Sequence, residues 1–426
     1  MIHNNRVGRD GASELRRNRK YSLAAAAAGF ALGASAPVAF GDALSLDAFE
    51  GSAVGRGSPT VSMTASGWIS SGLMYWSDGG NSGAFVVDNS ELNSRFRFRG
   101  QAKINGSVGA GFDIELGLSG NFPGANGVPS SNCVDQDRPS CGTVTPNIRN
   151  QQVWIAHNRL GRLVLGRGDP PSRLTKNWAG RVAGTQFWGM DSTPQVGMSM
   201  KLRGIDGATG TLRWRNLIDG RTGPKRGRAA WHSPKIQGLQ VAVGAGTDDH
   251  WDAGLYYANS DLFGFRVFGA LGYIDDTTPD AGSEFSELKG SFGALHRASG
   301  VYAWFASASR DLYNNRLAGE PGGRDWYAQI GWKHRIFSVG ATALSLDYGE
   351  HQDIRAGLAI PNSNAIVGRS AARFHGIGVT QWLRPAATEL YVGWRHYQAT
   401  DLVTTTGQNL KFEDLDVVIA GARIKF

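Results

Sequence analysis

The chain has 426 residues and carries 44 Lys and Arg against 36 Asp and Glu, a formal net charge of +8. Glycine supplies 59 positions, about 14% against a usual 7%, while charged residues reach only 19% and aromatics 10%. That balance is poor for helices and suits many strands with tight turns, and the charge is not grouped in one basic segment as in a nucleic-acid binder.

At the N-terminus, Arg6, Arg9, Arg16, Arg17, Arg19 and Lys20 precede the apolar run YSLAAAAAGFALGASAPVAFGDA. A basic segment, a short apolar core and small residues near a cleavage point describe a secretory signal peptide over residues 1–43. The core is shorter than the roughly 20 residues of a spanning helix. Cleavage after Ala39 and after Ala43 fit equally. Removing 1–43 takes six basic and three acidic residues from the +8 total and leaves +5 on the mature chain 44–426.

The first informative strand is SRFRFRG, residues 94–100, where Arg95, Arg97 and Arg99 alternate with Phe96 and Phe98. Successive side chains of a strand point to opposite faces, so the arginines share one face and the rings the other. A half-buried soluble sheet and a transmembrane strand with lipid-facing rings both fit this stretch alone. In 107–119, Val108, Ala110, Phe112, Ile114, Leu116 and Leu118 oppose Gly109, Gly111, Asp113, Glu115, Gly117 and Ser119. Further on, Cys133 and Cys141 lie close together in a polar loop, which favours a disulfide in an exported chain over two free thiols. In 325–333, Trp326, Ala328, Ile330 and Trp332 oppose Tyr327, Gln329, Gly331 and Lys333. In 389–395, Leu390, Val392 and Trp394 oppose Glu389, Tyr391, Gly393 and Arg395.

Strands are expected at about 60–76, 91–104, 107–119, 148–158, 161–167, 226–234, 238–246 and 250–258. Eight more follow at about 262–273, 284–296, 300–309, 325–335, 337–349, 371–384, 386–399 and 411–426. Short turns alternate with longer segments at 77–90, 120–147, 168–225, 274–283, 310–324, 350–370 and 400–410, with only 247–249 brief. This asymmetry predicts an all-β fold: a sixteen-stranded antiparallel transmembrane β-barrel with both termini on the short-turn side. Closure satisfies every backbone amide without water, and a soluble sandwich predicts no such asymmetry. Tyr75-Trp76, Tyr256-Tyr257, Trp326-Tyr327, Trp394 and Phe426 are candidates for interfacial aromatic girdles.

Several stretches in order resemble the Gram-negative outer-membrane general porins, nearest the alphaproteobacterial forms. SRFRFRG resembles that family's early strand, LGRLVLGR at 160–167 the strand leading into its third loop, and WHSPKIQGLQV at 231–241 a hairpin. DWYAQIGW, FSVGATALSLDYG and the terminal DVVIAGARIKF resemble its late strands. Departures exist: Arg97 stands where the family usually has an aromatic or Gly, and Arg149 matches a wall arginine only within a residue. The resemblance implies an outer-membrane, water-filled channel for passive diffusion of small hydrophilic solutes and ions, without a cofactor. It implies a homotrimer among outer-membrane lipids, with Phe426 presented to the barrel assembly machinery. It also implies that loop 168–225 folds inward as a constriction. The expected pore-lining and constriction residues are Arg95, Arg97, Arg99, Arg149, Asp113, Glu115, Asp169, Arg173 and Asp191, with the arginines opposing Asp169 or Asp191. The arginine excess suggests an anion preference.

Enzyme motifs are lacking: no G-x-S-x-G elbow, H-E-x-x-H pair or Walker loop occurs. The cluster Asp248 to Asp252, DDHWD, reads as a divalent-cation site or as a polar loop tip, the commoner case. A channel specific for an anion or sugar, with Tyr327 and Tyr391 beneath the solute, is the alternative to a general pore. A plugged structural barrel is a third.

Overall fold

A computed structural model describes residues 53–56, 61–87, 89, 94–119, 145–185, 200–219, 225–246, 249–277, 284–313, 322–360 and 363–426. The expected signal peptide, Cys133, Cys141 and Asp191 lie outside these residues.

Sixteen strands form the barrel. The first eight are Val61–Ser77, Arg95–Lys103, Val108–Ser119, Thr145–His157, Gly161–Gly168, Arg226–His232, Leu239–Gly246 and His250–Leu262. The rest are Phe265–Asp276, Phe285–His296, Val301–Leu312, Arg324–Phe337, Gly340–Gln352, Val367–Leu383, Thr388–Thr404 and Leu415–Lys425. Neighbours in the chain pair antiparallel throughout. The ring closes where Val61–Ser77 meets Leu415–Lys425, from Trp68 opposite Lys425 to Ser77 opposite Asp416. Lying between two strands at every point, the backbone leaves no open edge for lipid to solvate.

The side chains invert the order of a soluble protein. Leu390 and Val392 are 42% and 45% exposed, whereas Glu389, Tyr391 and Arg395 of the same strand are 2%, 4% and 1% exposed. The same holds for exposed Ile114 beside buried Glu115, and for exposed Ile330 beside buried Gln329. An apolar outer band around a charged interior is the arrangement of a membrane barrel.

Three expectations are corrected. Segment 77–90 is not an open loop: Ser82–Val87 pairs back onto Val61–Ser77, from Ser77 opposite Ser82 to Gly72 opposite Val87. The turn expected at 259–261, between the strands 250–258 and 262–273, falls later, at Phe263-Gly264, where both residues adopt left-handed φ of 52° and 83°. A phenylalanine there is rare, and the sequence cue pointed instead to the neighbouring Asn and Asp. The girdle pairs also divide between the faces: Tyr75 is exposed, but Trp76, Tyr256 and Tyr327 are buried on the inner face. Only the outward members, such as Trp326 stacked on Tyr348 at 5.0 Å, remain available to an interface.

Candidate functional site

The inner wall is built from the register of two strands. Arg95, Arg97 and Arg99 stand opposite Gly117, Glu115 and Asp113. Arg97 Nε donates to Glu115 Oε2 at 2.9 Å, and Arg95 Nη1 lies 3.6 Å from Oε1. Asp113 Oδ1 sits 4.0 Å from Arg97 and 3.7 Å from Arg99. The third cation on Glu115 is Arg149, whose Nε donates to Oε1 at 2.8 Å.

Arg149 reaches the interior through a register shift between Glu115 and Leu116, where Asn150 faces Glu115 and Ile148 faces Leu116. Arg149 is the extra residue of a β-bulge, which releases it from strict alternation.

Sequence reasoning missed the aromatic partner of this ladder. Trp68, opposite Arg95 in register, has the guanidinium carbons of Arg95, Arg97 and Arg423 at 4.9, 5.9 and 5.6 Å from its ring. Flat guanidinium groups over an indole face are held by its quadrupole. Next along the wall, Glu389 binds Arg423 Nε at 2.9 Å and Lys425 Nζ at 2.7 Å. Glu389, Arg423 and Lys425 carried no signal beyond alternation near the C-terminus.

The long segment after Gly168 is closed at its neck. Strands Gly161–Gly168 and Arg226–His232 pair, with Arg226 opposite Gly168. Asp169 Oδ1 accepts from Lys225 Nζ at 2.6 Å and Arg173 Nη1 at 2.9 Å, and Lys225 also donates to Asn150 at 2.8 Å. Burial favours the neutral acid, but the two cations outweigh it and hold the Asp169 carboxyl well below the usual carboxylate range. Asp169 thus has its direct ion-pair partners, Arg173 and Lys225, at the two ends of its own loop.

Residues 170–185 then lie along the inner faces of the strands that follow. Tyr256 Oη donates to Pro171 O, and Ser172 N to Asp252. Ala179 N donates to Ser291 Oγ at 3.1 Å, and Lys176 Nζ meets Asp325 at 2.6 Å, with both side chains fully buried. Glycines make room: a Cβ on Gly254 would lie 2.4 Å from Pro171 O, and one on Gly272 2.5 Å from Thr175 Oγ1. From the DDHWD cluster, His250 and Asp252 are buried on the inner face, 3.8 Å apart. Among the described residues, no group of three or more His, Cys, Asp or Glu is placed to hold a metal ion.

Known structures share this architecture. An anion-selective porin from Comamonas acidovorans superposes with a TM-score of 0.57 at 16% identity, covering 86% of this chain and 100% of that one. A loop L8 deletion mutant of Vibrio cholerae OmpT gives 0.53 at 12% identity, with coverage of 86% and 100%. Salmonella typhi OmpF in complex with daunomycin gives 0.52 at 13% identity, with coverage of 86% and 98%. No curated protein matches the chain by sequence. The model of the Gram-negative porin family matches residues 22–402, and the chain belongs to that family of outer-membrane channels.

Proposed function

We propose that the chain conducts small hydrophilic solutes and ions by passive diffusion, with a preference for anions set by its inner wall. The carrying observation is the convergence of Arg95, Arg97 and Arg149 on the single carboxylate of Glu115. Three fixed cations around one anion leave a local positive excess, and Arg423 and Lys425 around Glu389 repeat the pattern. A ring of such charge sets the potential met by a hydrated ion. Nothing in this passage requires a catalytic group, so the reading is a channel and not an enzyme.

The same reading has segment 168–225 bend into the lumen, supported by the contacts of 170–185 with Tyr256, Ser291 and Asp325. It makes the chain a homotrimer by family resemblance, joined through outward apolar residues near the seam such as Ile69, Leu73 and Ile424. Phe426, whose ring lies 5.3 Å from Phe96, is the terminal aromatic offered to the assembly machinery. The solute-specific alternative loses one platform: Tyr327 is fully buried and donates to Asp347 at 3.0 Å.

Single-channel recording across a salt gradient tests the proposal. Stepwise currents with a reversal potential of the sign for anions support it. A cation-selective current refutes the role given to the arginines, and silent protein refutes the channel.

A further inference from the structure

The hairpin ends on the short-turn side of the barrel share a composition that strand alternation does not explain. Lys103, Arg159, Lys235, Arg297, Arg335 and Arg384 are all exposed there. So are large apolar side chains: Ile104 is 58%, Leu160 68%, Ile236 61%, Phe263 94% and Phe337 55% exposed. Acid is sparse at these ends: Asp261 pairs with Arg297. Lys425 N donates to Ala387 O at 3.0 Å, which places the terminal carboxylate of Phe426 beside the last turn.

Beside the turn that holds Arg159 the outer wall is indented. A groove of about 250 Å³ has walls from Val108, Ile155, Leu160, Leu163 and Trp231. Ile155 and Leu163 stand opposite each other in register and are 49% and 42% exposed. Trp231, opposite Leu163 on the next strand, donates from Nε1 to Leu160 O at 2.9 Å. That bond ties the indole to the Arg159 turn. An indole with its body against apolar walls and its N–H on a turn suits the boundary between hydrocarbon and headgroups. Lys235 lies four residues further on, in the turn that Trp231's strand leads into.

We propose that this rim binds anionic phospholipid of the periplasmic-side leaflet, with an acyl chain in the groove and its phosphate at Arg159 and Lys235. The short turns of an outer-membrane barrel lie on the periplasmic side. In water, Leu160, Ile236 and Phe263 would keep their apolar surface hydrated; at a leaflet edge they enter the acyl region. The cations of the same turns extend the other way, to the headgroups, as long basic side chains do at an interface. Their charge is complementary to an anionic lipid surface. A leaflet suits the pattern better than an acidic protein, because the cations belong to six of the seven hairpins around the ring. A protein alongside would meet one sector only. The proposal needs the barrel's place in the outer membrane and not its conductance.

The test places the full chain in phosphatidylcholine vesicles that hold a minor fraction of lipid brominated in its acyl chains, either phosphatidylglycerol or phosphatidylcholine. Bromine quenches nearby indoles, and the difference between the parent and Trp231→Phe isolates the indole that walls the groove. Brominated phosphatidylglycerol should half-quench Trp231 at a roughly fivefold lower fraction than brominated phosphatidylcholine, the ratio that one basic side chain near an anionic headgroup supplies. Arg159→Glu with Lys235→Glu, verified as a folded barrel by heat-modifiable migration, should bring the two lipids to parity. Equal quenching by both lipids in the parent overturns the proposal, as does a Trp231 that neither lipid quenches. A preference that survives in the variant overturns it as well. Should the variant not fold, the parent in about 1 M salt decides, where the screening length falls to about 3 Å. A preference that disappears there supports the phosphate contact, and one that stays overturns it.

Discussion

Arg149 Nε lies 2.8 Å from Glu115 Oε1 although the alternation of its own strand would send Arg149 to the lipid. The bulge therefore adds a third cation to an acid already held by Arg95 and Arg97. Glu115 is the anion on which the field of this wall turns. Glu115→Gln leaves three guanidinium groups facing a neutral amide. The reversal potential in a salt gradient should move further toward the anion limit, and the folded barrel should lose heat resistance, as expected when a buried charge partner is removed. An unchanged reversal potential would show that other groups set the selectivity.

The neck of the long segment should resist acid. A carboxyl whose folded pKa is depressed contributes stability above its unfolded value, and that contribution is lost as pH falls through the folded pKa. Asp169 is held well below the usual carboxylate range, so its pairing with Lys225 and Arg173 persists at about pH 4, near the ordinary aspartate value. Protease protection of segment 168–225 at pH 7 and at pH 4 checks this. Equal protection is expected, whereas Asp169→Asn should lose protection already at pH 7.

Much of this was legible because the two faces of each strand meet different surroundings. The opposed faces named for 107–119, 325–333 and 389–395 are the faces found, with Glu115, Tyr327 and Glu389 inside and Ile114, Ile330 and Leu390 outside. What failed were features that alternation does not encode. A bulge at Glu115 turns Arg149 inward without a change in composition. Buried Trp76 and Tyr256 look like girdle residues because a loop packed against the inner wall demands the same aromatics as an interface. Trp68 was passed over because only register brings it beside Arg95, Arg97 and Arg423.

Lys176 and Asp325 form an ion pair between the long segment and the wall with neither side chain exposed. Asp325→Ala leaves a buried ammonium beside a cavity, and a loss of about 3–5 kcal/mol is expected. Replacing both, Lys176→Met with Asp325→Leu, should recover most of it because no charge is then left without a partner. Denaturant unfolding in detergent measures both. A double variant no more stable than the single one would show that the pair does more than cancel charge.

The glycines beneath residues 170–185 give the most local prediction. Gly254 and Gly272 face each other across adjacent strands, and they are bare for different reasons. At Gly254 the obstacle is the backbone oxygen of Pro171, 2.4 Å from where a Cβ would sit; at Gly272 it is the side chain of Thr175, with Oγ1 at 2.5 Å and Cγ2 at 2.9 Å. Gly254→Val must therefore shift the loop backbone or bend the strand, and overpacking of this kind costs about 1–3 kcal/mol. Gly272→Ala meets a side chain rather than backbone, but turning Thr175 only exchanges one γ atom for the other, so residues 172–175 must shift and the cost should be smaller than at Gly254 but not absent. Gly254→Val should change conductance and lower thermal stability, and Gly272→Ala should do both to a smaller extent. If Gly254→Val matched the parent in recording and melting, residues 170–185 would not be pressed against this wall in the membrane.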